Sequence, residues 1–348
     1  MARWTLKRWA WWNLFLLVCL AGVALTALSR GAVSIPVGRS WSILFHHFLG
    51  WPAGDSFSPR EISIILELRW PRILSGAVVG GGLALVGGVL QALLRNPLAD
   101  PFVLGISSGA ALGAVLAILF GLGGGLLGSY MVPGTAFAAA LLTIFLVYFI
   151  ARTGGRVPLQ TMLLAGVIVS SFFSAIIMFL ISMTSDERLH SVTFWLMGSL
   201  EYMASQNMGF IFLFLLVGAL FLLSRAKDFN LLTLGEETAL ELGVDVERVK
   251  MTSFVFTSLI TGAIVSGSGL IAFVGLIVPH TVRMIWGPDH RFLLPASMLA
   301  GAMFLIAADT LARTLLAPLE IPVGVITAIT GAPFFIYILR KKGHAVYH

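Results

Sequence analysis

The sequence predicts an all-α, polytopic membrane protein with about ten transmembrane helices, and three observations carry that prediction. Of its 348 residues, 58% are apolar and 11% charged, where a soluble domain carries about 25% charged residues. Its 22 Lys and Arg and 16 Asp and Glu gather at the ends of apolar stretches instead of spreading along the chain. Ten spans of about 20 residues use roughly 200 residues, which leaves chain for ends and connections. Soluble single-core folds, disordered chains and disulfide scaffolds are excluded. The one cysteine, Cys19, sits in an apolar run, so an internal disulfide or a cysteine metal site is excluded too. The net charge of +6 comes from bases flanking apolar segments, a topology pattern, and no nucleic-acid partner is expected.

The first span is expected from about Trp9 to Leu28. A basic start before an apolar middle also marks a signal peptide. The stretch is nearer 20 residues than a signal core, however, and Trp4, Trp9, Trp11 and Trp12 suit an interfacial anchor. An uncleaved span is therefore favoured. Further spans are expected near 62–94, 102–120, 131–151, 160–182, 206–224, 251–268, 270–286, 293–315 and 323–340. Gly267-Ser268-Gly269 interrupts the region 251–286, which reads as two spans or as one span and a re-entrant piece. Residues 193–203 read as a short extra helix at the surface. With an even span count, one side holds fifteen Lys and Arg, and the other holds Arg30, Arg39, Arg60, Arg69, Arg72, Arg188 and Arg313. That bias places both termini in the cytoplasm.

Small residues recur every fourth position at Gly76, Gly80, Ala84 and Gly88, and again at Gly105, Gly109 and Gly113. Such ridges let helix backbones approach closely in lipid, and a span without bulky side chains can also line a pathway for a large substrate. The span interiors lack the Asp, Glu, His or Lys that ion-coupled carriers place within the membrane. Glu67, Glu201 and Asp309 stand at span ends, with Asp309 four residues before Arg313. There is no G-x-x-x-x-G-K-[ST] phosphate loop and no H-E-x-x-H zinc helix. Enzyme chemistry is not expected of this chain. Transport powered by another subunit fits better than an ion-coupled secondary carrier.

Residues 225–250 hold ten of the 38 charges. Within them Thr233-Leu234-Gly235-Glu236 has capping-box spacing. It predicts a short helix from Leu234 to Leu242, stopped by Gly243 in the left-handed conformation, with Asp245 capping a second short piece. Leu234, Ala239 and Leu242 would form a small apolar surface amid Glu236, Glu237 and Glu241. That is more structure than a connection needs, and it reads as a docking element for a soluble partner.

Several strings resemble the permease subunits of ABC importers for iron-siderophores, haem and cobalamin. They are Leu68-Arg69-Trp70-Pro71-Arg72, Gln91 through Pro101 with its Asn96-Pro97 turn, and Leu104-Gly105 through Ala110. In the later half come Phe194-Trp195-Leu196-Met197-Gly198, Leu234-Gly235-Glu236, Phe273 through His280, Asp289-His290-Arg291 and Glu320 through Gly324. The likeness covers about residues 60–340 and implies a cobalamin-permease-like fold, with 1–348 as a single transmembrane domain. It implies a homodimer with its pathway on the dimer axis, in a bacterial inner membrane. Two cytoplasmic ATP-binding subunits would carry the ATP and Mg, and a periplasmic binding protein would deliver the cargo. No cofactor or metal is expected in the chain itself.

By motif position the resemblance assigns binding-protein docking to Arg69, Arg72 and Arg313. It assigns ATPase coupling to the 225–250 block, with Thr233, Leu234, Gly235, Glu236, Ala239, Leu242 and Gly243. The cytoplasmic gate falls at Leu159 and Gln160, and the segment at Phe194, Trp195 and Gly198 is the candidate periplasmic gate. His280 and His290 read as packing residues, and His46 and His47 as solvent-facing. An iron chelate, siderophore or haem, is the first expectation for the cargo, and cobalamin the second.

Overall fold

The computed structural model describes residues 6–50, 57–122, 128–152, 158–201 and 208–346. Among them every regular element is helical. In chain order they are α1 (Leu6–Ser29), α2 (Val37–Leu49), α3 (Pro59–Ser63), a π-helical segment (Ile64–Arg69), α4 (Trp70–Leu93) and a 3₁₀ turn (Pro101–Leu104). Then come α5 (Ile106–Leu119), α6 (Gly128–Ala151), α7 (Leu159–Ser182), α8 (Asp186–Met197), α9 (Met208–Ser224) and α10 (Ala226–Leu232). The chain ends with α11 (Glu236–Glu241), α12 (Val246–Ser268), α13 (Val274–Trp286), α14 (His290–Thr314) and α15 (Val323–Val346).

Each of the ten expected spans coincides with a helix, but the helices are unequal. Among the described residues six are long and apolar enough to cross a membrane: Lys7–Ser29, Pro59–Leu93, Tyr130–Ala151, Gln160–Ser182, Val246–Ser268 and His290–Thr314. α9 reaches that length only together with α10, across a 56° bend. Ile106–Leu119, Val274–Trp286 and Val323–Tyr337 are shorter apolar helices. The interruption at Gly269 therefore separates one full span from a helix of 13 residues, about 20 Å long at 1.5 Å per residue. Of the extra helix expected at 193–203, the part up to Met197 belongs to the helix Asp186–Met197, and residues 202–203 lie outside the described residues.

α4 is the hub of the bundle, with most of its length buried against α12, α13 and α14. Its glycines explain why. A β-carbon at Gly80 would run into the carbonyl of Gly301 on α14, and one at Gly87 into the carbonyl of Gly275 on α13. Backbones that touch gain dispersion contacts along their length, which must do in lipid what water does for soluble helices. The second ridge behaves alike: Gly109 and Gly113 pack on Thr143, Thr135 and Ala139 of α6. Both ridges are thus spent on packing inside the subunit, not on lining a pathway.

The π segment has a local cause. Pro71 lacks an N–H and its ring crowds the carbonyl four residues back. The helix absorbs this with a wider turn, in which the Trp70 N–H donates to the Ile65 carbonyl. Arg69 closes that turn, and the turn decides where its side chain goes.

Candidate functional site

The two ends of α4 carry two differently built polar regions. At its start lies a cavity of about 790 Å³ whose walls include Arg60, Arg69, Arg72, Glu201, Arg313 and Glu320. Asp309 holds two arginines beneath it. Its Oδ1 accepts from Arg72 Nε at 3.1 Å and its Oδ2 from Arg313 Nε at 2.9 Å, with the carboxylate only 3% exposed. Arg72 Nη1 reaches Glu320 at 2.8 Å. The expected pairing of Asp309 with Arg313 one helical turn on is present, and Arg72 joins it from α4.

Arg69 is not at the rim where the motif position suggested. The π turn directs it inward: Nη1 donates to the Leu28 carbonyl at 2.5 Å and Nη2 to the Val33 carbonyl, and the residue is 4% exposed. It clamps the end of α1 to α4. Arg313 is buried as well. Arg72 keeps one edge on the cavity. Arg60 is exposed at the same cavity and has no ion pair among the described residues.

At the opposite end of α4, Gln91 bridges to α13. Its amide donates to the carbonyls of Gly275 (3.4 Å) and Leu276 (3.1 Å), while its oxygen accepts from Arg283 Nη1 at 2.9 Å. The chain then turns through Asn96 to Asp100, whose side chain caps the 3₁₀ turn by accepting the Phe102 N–H at 2.9 Å. Burial pushes the Asp100 carboxyl up to about 6, against that hydrogen bond.

The 225–250 block is ordered, though not through a capping box. Thr233 Oγ1 donates back to the Asn230 carbonyl, finishing α10. α11 starts at Glu236, two residues later than expected, on Gly235 with φ +129° and ψ 151°, a conformation only glycine takes without strain. The Glu236 carboxylate goes to Lys250 Nζ at 2.5 Å, with Arg95 Nη2 at 3.8 Å.

Gly243 does adopt a left-handed φ of +86°, and the Val244 N–H closes on the Ala239 carbonyl. Asp245 accepts the Arg248 N–H as expected, but the helix it caps is the full span α12. Ala239 is buried, whereas Leu234, Leu240 and Leu242 are 66%, 57% and 59% exposed. The apolar surface is therefore three leucines, with Ala239 turned inward beneath them.

Asn230 ties this block to α14. Its amide donates to Asp289 Oδ1 at 2.9 Å, and its oxygen accepts the His290 N–H at 2.8 Å. Burial raises the Asp289 pKa, but hydrogen bonds from Arg291 and Asn230 outweigh it and hold the carboxylate below its ordinary range.

At the Arg72 end, Trp195 packs into the core while Phe194 lies 40% exposed against the His190 ring. Gly198, at φ +74°, Gly269 and Gly324 meet there. A β-carbon at Gly198 would strike the Leu270 carbonyl, one at Gly269 the Trp195 carbonyl, and one at Gly324 the Met197 carbonyl. Three segments distant in sequence thus cross backbone on backbone. The Leu159 side chain and residues 153–157 lie outside the described residues, and Gln160 is exposed at the start of α7.

Lys250, Gln91, Asn230, Arg283 and Glu320 were not singled out by sequence reasoning as site residues. Apart from Lys250, whose partner Glu236 lies in the same block, their partners lie far along the chain, from Asn230–Asp289 to Arg72–Glu320, so no local spacing announced them.

A helical bundle with ionic groups at its two ends, a charged cavity at one and a short leucine-faced helix at the other, has the plan of a membrane transport subunit. The model of the FecCD transport family matches residues 16–341, and the chain belongs to that family: it is a multi-pass permease subunit of the ABC importer class. It is 43% identical to the cobalamin import system permease protein BtuC of Halobacterium salinarum, over 93% of this chain and 90% of that one. It is 38% identical to the hemin transport system permease protein HmuU of Yersinia pestis, over 94% and 95%. A solved metal-chelate type ABC transporter in an inward-facing conformation superposes with a TM-score of 0.81 at 33% identity, over 96% of this chain and 99% of that one.

Proposed function

We propose that this permease moves a metal held in a bulky organic chelate, an iron-siderophore or haem, from the periplasm across the bacterial inner membrane to the cytoplasm. It works as a homodimer with two ATP-binding subunits, both termini on their side. Cobalamin is the second reading, favoured by the 43% identity to a cobalamin permease.

The observation that carries the proposal is the contrast between the ends. The Arg72 end offers guanidinium groups at a cavity, suited to acidic groups on a soluble delivery protein. The Glu236 end offers three exposed leucines on and beside a short, braced helix, suited to insertion in a cleft of an ATPase. Between them, small residues pack α4 without supplying an ionisable pair on which ion coupling could run.

The test is ligand-stimulated ATP hydrolysis and uptake in proteoliposomes holding the permease and its ATPase, with the binding protein loaded in turn with ferric siderophore, haem and cobalamin. One cargo should drive both hydrolysis and uptake, and which one does decides between the readings. Uptake driven by an ion gradient without the ATPase would sink them together.

A further inference from the structure

The mouth treats the two carboxylates that pair with Arg72 differently, with Glu67 and Glu201 also on the cavity wall. Asp309 is buried and gives one oxygen to each of two arginines. Glu320 is 48% exposed, and its ion pair is with Arg72. A buried pair resists losing a partner, because the group left behind stays desolvated and uncompensated. The Arg72–Glu320 pair is exposed only on its Glu320 side, with Arg72 at 12%, so water takes over the carboxylate when it leaves while Asp309 still holds Arg72. Arg72 therefore has one permanent partner and one replaceable partner.

Charge balance points the same way. With Glu320 in place, the group of Arg72, Arg313, Asp309 and Glu320 is neutral. Without it, one positive charge faces the cavity beside Arg60. Arg69 does not offer a visitor its terminal nitrogens, because both are engaged by the carbonyls of Leu28 and Val33.

We propose that the Glu320 position on Arg72 is a carboxylate-exchange site: Glu320 fills it in the undocked subunit, and an acidic side chain of the soluble binding protein displaces it on docking. The proposal rests on the docking reading above and adds a resident competitor, which lowers affinity while keeping Arg72 satisfied between encounters.

The experiment measures the Kd of the loaded binding protein for the permease–ATPase complex in nanodiscs, with thermal unfolding to verify that each variant is folded. Glu320→Gln should tighten Kd by about two- to five-fold, the worth of an exposed ion pair, and steepen the salt dependence of association. Glu320→Lys should tighten it further. Arg60→Gln, at an exposed position, should weaken it by a similar factor. If both Glu320 variants leave Kd unchanged or weaken it while Arg60→Gln still weakens it, the exchange is overturned and docking at this mouth stands. If none of the three variants nor added salt moves Kd, the docking reading itself falls.

Discussion

The two ends of α4 solve opposite problems. At the Arg72 end, charge is taken out of water and neutralised by Asp309 at 3% exposure. At the Glu236 end, apolar surface is left in water: Leu240 on a helix of six residues and Leu234 and Leu242 flanking it stand more than half exposed. A buried ion cluster holds helices in place, and its loss is felt as instability. An exposed leucine patch contributes little to the subunit's own folding, and its loss is felt only by whatever covers it. One end of α4 is thus built around a buried ion cluster and the other around exposed apolar surface.

The largest expected effect tests the first half of that contrast. Asp309→Ala leaves Arg72 and Arg313 buried against each other, which should cost about 3–5 kcal/mol. A lowered unfolding midpoint in detergent or poor membrane accumulation reports it, and a midpoint equal to wild type would mean that the cluster does not hold α4 to α14.

Asp100→Asn comes next and concerns the Glu236 end. Its folded-state pKa of about 6 lies above the unfolded value of 3.8, so the stability it contributes is present below the unfolded value and lost as pH rises through about 6. The variant keeps the cap on Phe102 and removes the ionisation. The stability difference between variant and wild type should grow in the variant's favour across that window, to at most about 3 kcal/mol.

Lys250→Met should loosen Glu236 at a cost of about 1 kcal/mol or less, as for other partly exposed pairs. Protease sensitivity of 233–245 is the readout, and unchanged cleavage would show that Arg95 suffices. Smallest for stability is the triple change of Leu234, Leu240 and Leu242 to Ser, within about 0.5 kcal/mol for surface positions. The same triple variant should lose co-purification of the ATPase, and full retention would break the comparison outright.

Much of this was legible in the sequence because membranes impose length and polarity on helices directly. The apolar stretch at 293–315, for example, maps onto α14 within a few residues. The failures share one cause, that side chains were placed by local rules where distant contacts decide. Thr233 and Glu236 had the spacing of a capping box, yet Glu236 is drawn to Lys250 and Arg95. Arg69 read as a rim residue until the π turn beside Pro71 sent it to the end of α1. Gln91 and Arg283 meet across 192 positions, a separation that composition and periodicity do not register.

The crossing of Gly198, Gly269 and Gly324 has a consequence for how the chain is made. Synthesis delivers these segments in order, and the third arrives only with α15. The contact between residues 198 and 270 can form while the polypeptide is still growing, but Gly324 must then slide against the carbonyls of Met197 and Leu270 with no room for a β-carbon. A chain cut short before α15 would keep its leucine-faced helix at one end and have an unsealed mouth at the other.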